Sequence, residues 1–147
     1  MEMILKRCRH SGKAIDGKLI IDDTRFCDTA ENSDTALPQG RYRIMRNFCK
    51  QYGRYMPLIL PADVESAPCG NCPKLRYVCN NTTMPIVCPM LKSGNGIWGR
   101  ADGSIILGTY IAPGCLSHPN EPFDLLSERL RKLTTRGSGM TLKIEEI

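Results

Sequence analysis

Alternating apolar and polar positions dominate the first part of the chain and predict β-strands. Three such segments are Met3–Cys8, Gly17–Asp22 and Arg25–Thr29. Asp22-Asp23 is a tight-turn signal between the second and third segments, so we expect these two to form a hairpin. Its candidate core residues are Leu19, Ile21, Phe26 and Cys27. The polar segment Glu31–Leu37 is predicted to be a loop.

A turn at Pro38 and Gly40 is predicted to start the next strand, Arg41–Met45. Its alternation places Arg41 and Arg43 on one face, and Tyr42 and Ile44 on the other. The other predicted strands are Met56–Leu60, the proline-containing edge segment Met84–Met90, and the isoleucine-rich segment Gly103–Tyr110. The segment from Pro61 to Asn81 is irregular in pattern and rich in cysteine.

One segment has helical spacing. Phe123, Leu126, Leu130 and Leu133 recur at intervals of three and four, which predicts a helix over Pro122–Leu133 with Asn120 as its N-cap. Met140–Ile144 alternates again and predicts a final strand. The fold class is therefore mainly β (α+β): a compact β-sandwich or barrel-like domain with one C-terminal helix followed by a final strand.

The length of 147 residues fits a single domain over 1–147, with a cysteine-rich insertion at about 61–90. The net charge of +5 is a mild excess that favours an anionic partner without choosing between cell wall and nucleic acid. No apolar run follows Lys6-Arg7, so we expect no secretory signal, and no stretch is long enough for a membrane span. We therefore expect a chain that is cytoplasmic as synthesised and acts outside only after release at lysis or in a phage particle.

The eight cysteines are many for such a chain. Without a secretory signal, a disulfide framework is less favoured than reduced thiols, a metal site or one reactive thiol. Four of them follow the spacing C-x2-C-x6-C-x8-C, namely Cys69, Cys72, Cys79 and Cys88. Four thiolates suit the tetrahedral coordination of structural zinc. Unpaired core thiols, and a disulfide formed after release into an oxidising space, are the alternatives.

A basic stretch follows the predicted turn. Its cations are Arg41, Arg43, Arg46, Lys50 and Arg54, and its aromatic residues are Tyr42, Phe48, Tyr52 and Tyr55. Such a combination can bind a nucleic acid strand by phosphate contacts and stacking. The same pattern arises when a strand exposes a basic face and buries its aromatic residues, which we favour for Tyr42. Nucleic acid is thus not the favoured partner, and an anionic glycan or a protein would use the same charges.

Several short motifs occur in a characteristic order. They are Phe26-Cys-Asp-Thr-Ala-Glu31, Leu37-Pro-Gln-Gly-Arg-Tyr-Arg-Ile44, Met56-Pro-Leu58, Asp102-Gly-Ser-Ile-Ile-Leu-Gly108, and Ser117 with Phe123 and Leu126. This order resembles a small family from Bacteroides-type genomes and their phages, which in turn is similar to the L,D-transpeptidase catalytic domain. The shared features are a Pro-x-Gly-x-Tyr/Phe strand start and a late Gly-Cys-Ile strand. The resemblance covers most of residues 3–133, except the insertion.

The resemblance implies a cysteine thiolate that attacks stem peptides of peptidoglycan while a histidine takes the thiol proton. It places Ser104 where that cysteine belongs and Asp102 where a histidine often precedes it. Lys92 lies in the upstream segment that usually offers a histidine. A serine hydroxyl without a positioned proton acceptor is a poor nucleophile. The resemblance therefore implies a degenerate domain with a peptidoglycan-binding, lysis-associated or structural role, with Arg41, Arg43 and Asn95 as substrate-binding candidates.

Two alternatives remain at this point. Cys115 is followed three residues later by His118, and a turn that brings them together would make an active cysteine-dependent transpeptidase or endopeptidase. The competing interpretation of Cys115 as a small buried apolar side chain is favoured. A zinc-stapled binding module built on the four spaced cysteines is the other alternative.

Overall fold

A computed structural model describes residues 1–49, 52–62, 74–79, 82–87, 89–96, 103–135 and 140–146, with backbone only at 61, 74–79, 82–87 and 135. The strands are β1 (Glu2–Ser11), β2 (Ala14–Ile21), β3 (Thr24–Asn32), β4 (Gly40–Cys49), β5 (Arg54–Pro61), β6 (Lys74–Cys79), β7 (Thr82–Val87), β8 (Leu91–Ser93), β9 (Ile105–Ala112), β10 (Cys115–Ser117) and β11 (Thr141–Glu145). The helix α1 spans Asn120–Thr135.

Eight of these strands form a nearly closed barrel in the order β8-β9-β3-β2-β1-β11-β4-β5. The pairs β1–β11 and β8–β9 are parallel, and the other pairs are antiparallel. The two ends of the sheet approach each other where Leu58 forms a β-bridge with Met90 and Ile59 donates its N–H to the Pro89 carbonyl at 2.8 Å. Strand β10 pairs with β9 outside this ring, and β6 and β7 form a separate hairpin.

The barrel interior is filled by alternate residues of its strands, because successive side chains point to opposite faces. Leu5, Leu19, Leu107 and Leu142 are fully buried there. Helix α1 joins the same core through Phe123, Leu126 and Leu130, the helically spaced residues of the sequence. The mainly β, barrel-like class with one C-terminal helix and a final strand is confirmed. Among the described residues, no helix is long and apolar enough to cross a membrane.

Local predictions are confirmed at the β2–β3 turn, where Asp22 and Asp23 have φ of 48° and 66°. Positive φ at both central residues belongs to the two-residue hairpin turns that match strand twist. Phe26 and Cys27 are only partly buried and pack against the core rather than inside it.

The predicted loop over Glu31–Leu37 is wrong at its start. Strand β3 continues to Asn32, and the Glu31 side chain is buried inside the barrel. A buried carboxylate is tolerated there because the Arg7 guanidinium binds both of its oxygens. A second correction concerns Pro61–Asn81, predicted to be irregular, which contains strand β6.

Candidate functional site

Ser104 immediately precedes β9, at the point where the parallel β8–β9 ladder begins. Its side chain is only 7% exposed, and its Oγ accepts a hydrogen bond from the Met90 N–H at 3.1 Å. The next residue, Ile105, donates its own N–H to the Met90 carbonyl at 2.9 Å. The serine hydroxyl thus extends the backbone ladder by one acceptor. A buried hydroxyl oxygen engaged in this way is not presented to a substrate.

Lys92 lies on β8 directly opposite Ile106, two residues beyond Ser104 on the neighbouring strand. The parallel register therefore places Met90 next to Ser104 and Lys92 two residues further along the same ladder. The Lys92 side chain is half-buried. Asp102, the third residue of this set, lies outside the described residues.

Asn95 connects β10 to the barrel through two hydrogen bonds to Leu116. Its backbone carbonyl accepts the Leu116 N–H at 2.7 Å, and its side-chain Nδ2 donates to the Leu116 carbonyl at 3.4 Å. The next residue, Gly96, forms a β-bridge with Cys115. These contacts give the Asn95 amide a structural partner, while its role in binding a substrate stays a prediction.

Cys115 begins β10, next to a turn that a buried carboxylate holds in place. Asp16 Oδ1 accepts the Gly114 N–H at 3.0 Å, and Gly114 has a φ of 75° that favours glycine. The sequence pattern does not indicate this role of Asp16, because its partner Gly114 is 98 positions away. The Cys115 side chain is half-buried.

His118 is exposed with a φ of 49°, and its Nδ1 lies 3.1 Å from the Ser117 Oγ. Within the described part of the chain, no hydrogen bond joins the His118 ring to the Cys115 thiol. The histidine instead lines a cleft of about 370 Å³ whose wall includes Cys27 and Asp28. Burial raises the pKa of the Cys27 thiol to about 12, so this cysteine is a neutral thiol near pH 7 and a poor nucleophile. The Cys115–His118 pair stays a prediction.

Arg41 and Arg43 lie on β4, on the face opposite Tyr42, as predicted. Arg41 is exposed and sits directly across from Lys143 of β11, while Arg43 is half-buried and sits across from Thr141. On the same outer surface of the barrel, Lys6 of β1 lies across from Lys18 of β2. Like charges directly opposite each other repel. We call the surface formed by Arg41, Lys143, Lys6 and Lys18 the basic face.

Sequence reasoning found Arg41 on this surface but missed its three lysines. Their proximity depends on strand register, since β1, β2, β4 and β11 come from both ends of the chain. The surface also contains acids: Glu145 Oε1 lies 3.3 Å from Lys143 Nζ and Glu145 is directly opposite Lys6, while Asp28 is directly opposite Lys18. The basic face therefore retains a positive excess that could attract an anion.

The proposed zinc ligands fall largely beyond the described residues. Cys69, Cys72 and Cys88 lie outside them, and Cys79 is the last residue of β6, where only backbone is described. Among the described residues, no group of three or more His, Cys, Asp or Glu side chains could hold a metal ion. Structural zinc at the four cysteines stays a prediction that metal analysis of freshly purified protein would decide.

Comparisons with protein-family models, with curated proteins and with solved structures find no match for this chain. The resemblance to L,D-transpeptidases therefore stays a prediction that rests on the motifs.

Proposed function

We propose that this chain is a catalytically silent, L,D-transpeptidase-like domain that binds peptidoglycan or another anionic polymer. The observation that carries the proposal is the hydrogen bond from the Met90 N–H to the buried Ser104 Oγ. It supports a structural role for the residue that stands in the nucleophile position. Such a domain would serve in lysis or in a particle by binding rather than by chemistry.

A serine nucleophile has two chemical requirements, and the surroundings of Ser104 argue that neither is met. The hydroxyl needs a base that takes its proton, and its oxygen needs a free approach to the scissile carbonyl. Lys92 lies two residues further along β8 from Met90, in place of a histidine, and a lysine ammonium group offers no acceptor lone pair for that proton. The Ser104 oxygen is directed to the backbone of Met90 and is shielded from solvent.

Binding of an anionic polymer is supported by the basic face. Arg41 lies across from Lys143, and Lys6 lies across from Lys18, so like charges repel there. Glu145 and Asp28 offset only part of this repulsion. Carboxylates placed between these cations would relieve the repulsion. Attraction of this kind weakens with salt, because exposed charges are screened beyond about 8 Å at physiological ionic strength.

The test is co-sedimentation of the pure protein with peptidoglycan sacculi at low and high salt, with the soluble and digested muropeptides analysed by mass spectrometry. We expect the protein to pellet, to be released by salt, and to leave the muropeptides unchanged. The double variant Arg41→Ala/Lys143→Ala should pellet less. Lys13→Ala removes an exposed lysine that already pairs with Asp34, and it serves as the matched control. Turnover of muropeptides would refute the proposal. So would binding that salt does not weaken and that is equal in the wild type and in Arg41→Ala/Lys143→Ala.

A further inference from the structure

A groove of about 440 Å³ lies between the β4–β5 hairpin and helix α1. The hairpin lines it with Arg46, Phe48, Arg54 and Tyr55, and the helix lines it with Asp124, Ser127, Glu128 and Arg131, together with Gly53 at the hairpin turn. It lies on a different part of the barrel from the basic face and from Ser104. We call it the hairpin groove.

Two large aromatic side chains are exposed at the hairpin groove. Phe48 is 42% exposed and Tyr55 is 50% exposed, and they are directly opposite each other in the β4–β5 register. Their ring centroids are 5.5 Å apart with an interplanar angle of 77°. The Arg46 guanidinium lies 4.1 Å from the Tyr55 ring centroid and holds that ring in place. Paired exposed rings of this kind are typical of ligand surfaces.

Two polar side chains on the helix side of the groove have no hydrogen-bond partner among the described residues. The Asp124 carboxylate is exposed and has no hydrogen bond to a described residue. The Ser127 Oγ is buried and has no hydrogen-bond partner among the described residues. Glu128 is engaged by Arg131 through contacts of 2.6 Å and 3.1 Å, so this pair is close to neutral. Aromatic rings next to both acidic and basic side chains suit a ligand that donates and accepts hydrogen bonds.

We propose that the hairpin groove binds the polysaccharide strand of the cell-wall polymer, with sugar rings packed on Phe48 and Tyr55. The sugar hydroxyls would donate to Asp124 and accept from Arg46 and Arg54, the two groove arginines that lack an ion pair to a described residue. This inference rests on the proposed function and assigns the sugar part of the polymer to a second surface. The basic face would attract the carboxylates of the same polymer.

The charges of the groove give a nucleic acid strand little advantage over a polysaccharide, because its three arginines are largely balanced by two carboxylates. Glu128 is paired with Arg131, and phosphates of a strand bound to the rings would meet the exposed Asp124 carboxylate. Like-charge juxtaposition of this kind suppresses binding of the wrong partner. Neutral sugar rings meet no such repulsion, and their apolar faces cover aromatic rings without needing a cation.

The test is titration of the whole protein with chitohexaose, a neutral oligomer of N-acetylglucosamine, followed by calorimetry or nuclear magnetic resonance at high salt. We expect binding by the wild type that Tyr55→Ala and Phe48→Ala each weaken about tenfold, as truncation of a central aromatic contact does. Tyr110→Ala is the matched control. Tyr110 is also an exposed tyrosine beside an arginine, since Arg9 lies 5.6 Å from its ring centroid, but it lies outside the groove.

The outcomes separate the two proposals. If the protein pellets with sacculi but does not bind chitohexaose, the groove assignment is overturned while the proposed function stands. If Tyr55→Ala binds chitohexaose as the wild type does, the groove is not the site. Tighter binding of a single-stranded oligonucleotide than of chitohexaose, lost in Tyr55→Ala, would replace the polysaccharide by nucleic acid. Retained thermal unfolding temperatures show that the variants are folded.

Discussion

Arg7 and Glu31 form a two-pronged ion pair inside the barrel, with Nε to Oε2 at 3.0 Å and Nη2 to Oε1 at 2.9 Å. The same guanidinium donates to the Leu37 carbonyl at 2.6 Å and contacts the Glu146 carboxylate. One side chain therefore ties β1 to β3, to the segment before β4 and to the chain after β11. The cluster therefore lies next to one end of the β4–β11 ladder, in which Lys143 is opposite Arg41.

Removing one partner of this pair should be costly. We expect Glu31→Ala to lower the free energy of unfolding by about 3–5 kcal/mol, because the buried Arg7 charge loses its main partner. Urea denaturation measures the change. The exposed pair Lys13–Asp34 is the control, and Lys13→Ala should cost less than about 1 kcal/mol. A loss of that small size in Glu31→Ala would mean that solvent or Glu146 replaces the missing carboxylate.

Ser104→Ala should separate a structural serine from a catalytic or ligand-binding one. It leaves the Met90 N–H without its acceptor, so we expect the free energy of unfolding to fall by about 1–3 kcal/mol. Sedimentation with sacculi should not change. A stable variant that no longer binds would place Ser104 in contact with the polymer and contradict its structural role.

A carbapenem probes the alternative use of Cys115. The resemblance implies that such a compound acylates the active cysteine of an L,D-transpeptidase. Because no hydrogen bond joins His118 to the Cys115 thiol among the described residues, we expect the native mass spectrum to show no covalent adduct. An adduct that maps to Cys115 and disappears in a folded Cys115→Ala variant would establish the cysteine enzyme instead.

The partly buried Cys27 thiol predicts a pH dependence of stability. Burial raises its pKa to about 12, whereas an unfolded thiol titrates near about 8.5, so the native state favours the protonated form. The resulting stability is complete below about pH 8.5 and is lost as the pH rises toward 12. We expect the wild type to lose about 1–2 kcal/mol more than Cys27→Ala between pH 8 and pH 10. Cys8→Ala, which removes an exposed thiol, is the matched control, and equal losses in wild type and Cys27→Ala would rule out this contribution.

The sequence predicts those parts of the fold that depend on neighbours in the chain. Alternation at Tyr42 and Ile44, the Asp22-Asp23 turn and the helical spacing of Phe123 and Leu126 need only local periodicity. The polarity of Glu31 predicts a loop, because the sequence pattern does not show its partner Arg7, which lies 24 residues away. Long-range pairing of this kind overrides a local pattern.

At the candidate surfaces, too, residue types can be read from the sequence but their burial and partners cannot. Tyr42, Phe48 and Tyr55 look alike in the sequence, yet Tyr42 is buried by the barrel while Phe48 and Tyr55 extend past the core beside α1. The role of Ser104 depends on Met90, which is 14 residues away and arrives through the β8–β9 ladder. Residue types suggested the chemistry, but only the fold shows which groups have partners.

We infer that the domain binds its polymer without chemical turnover. The decisive measurement is the muropeptide profile of sacculi that have been incubated with the pure protein and pelleted with it. We predict that the protein is in the pellet and that the muropeptide masses and cross-links match those of untreated sacculi. New cross-links or shortened stem peptides, or a protein that stays entirely in the supernatant at low salt, would contradict the claim.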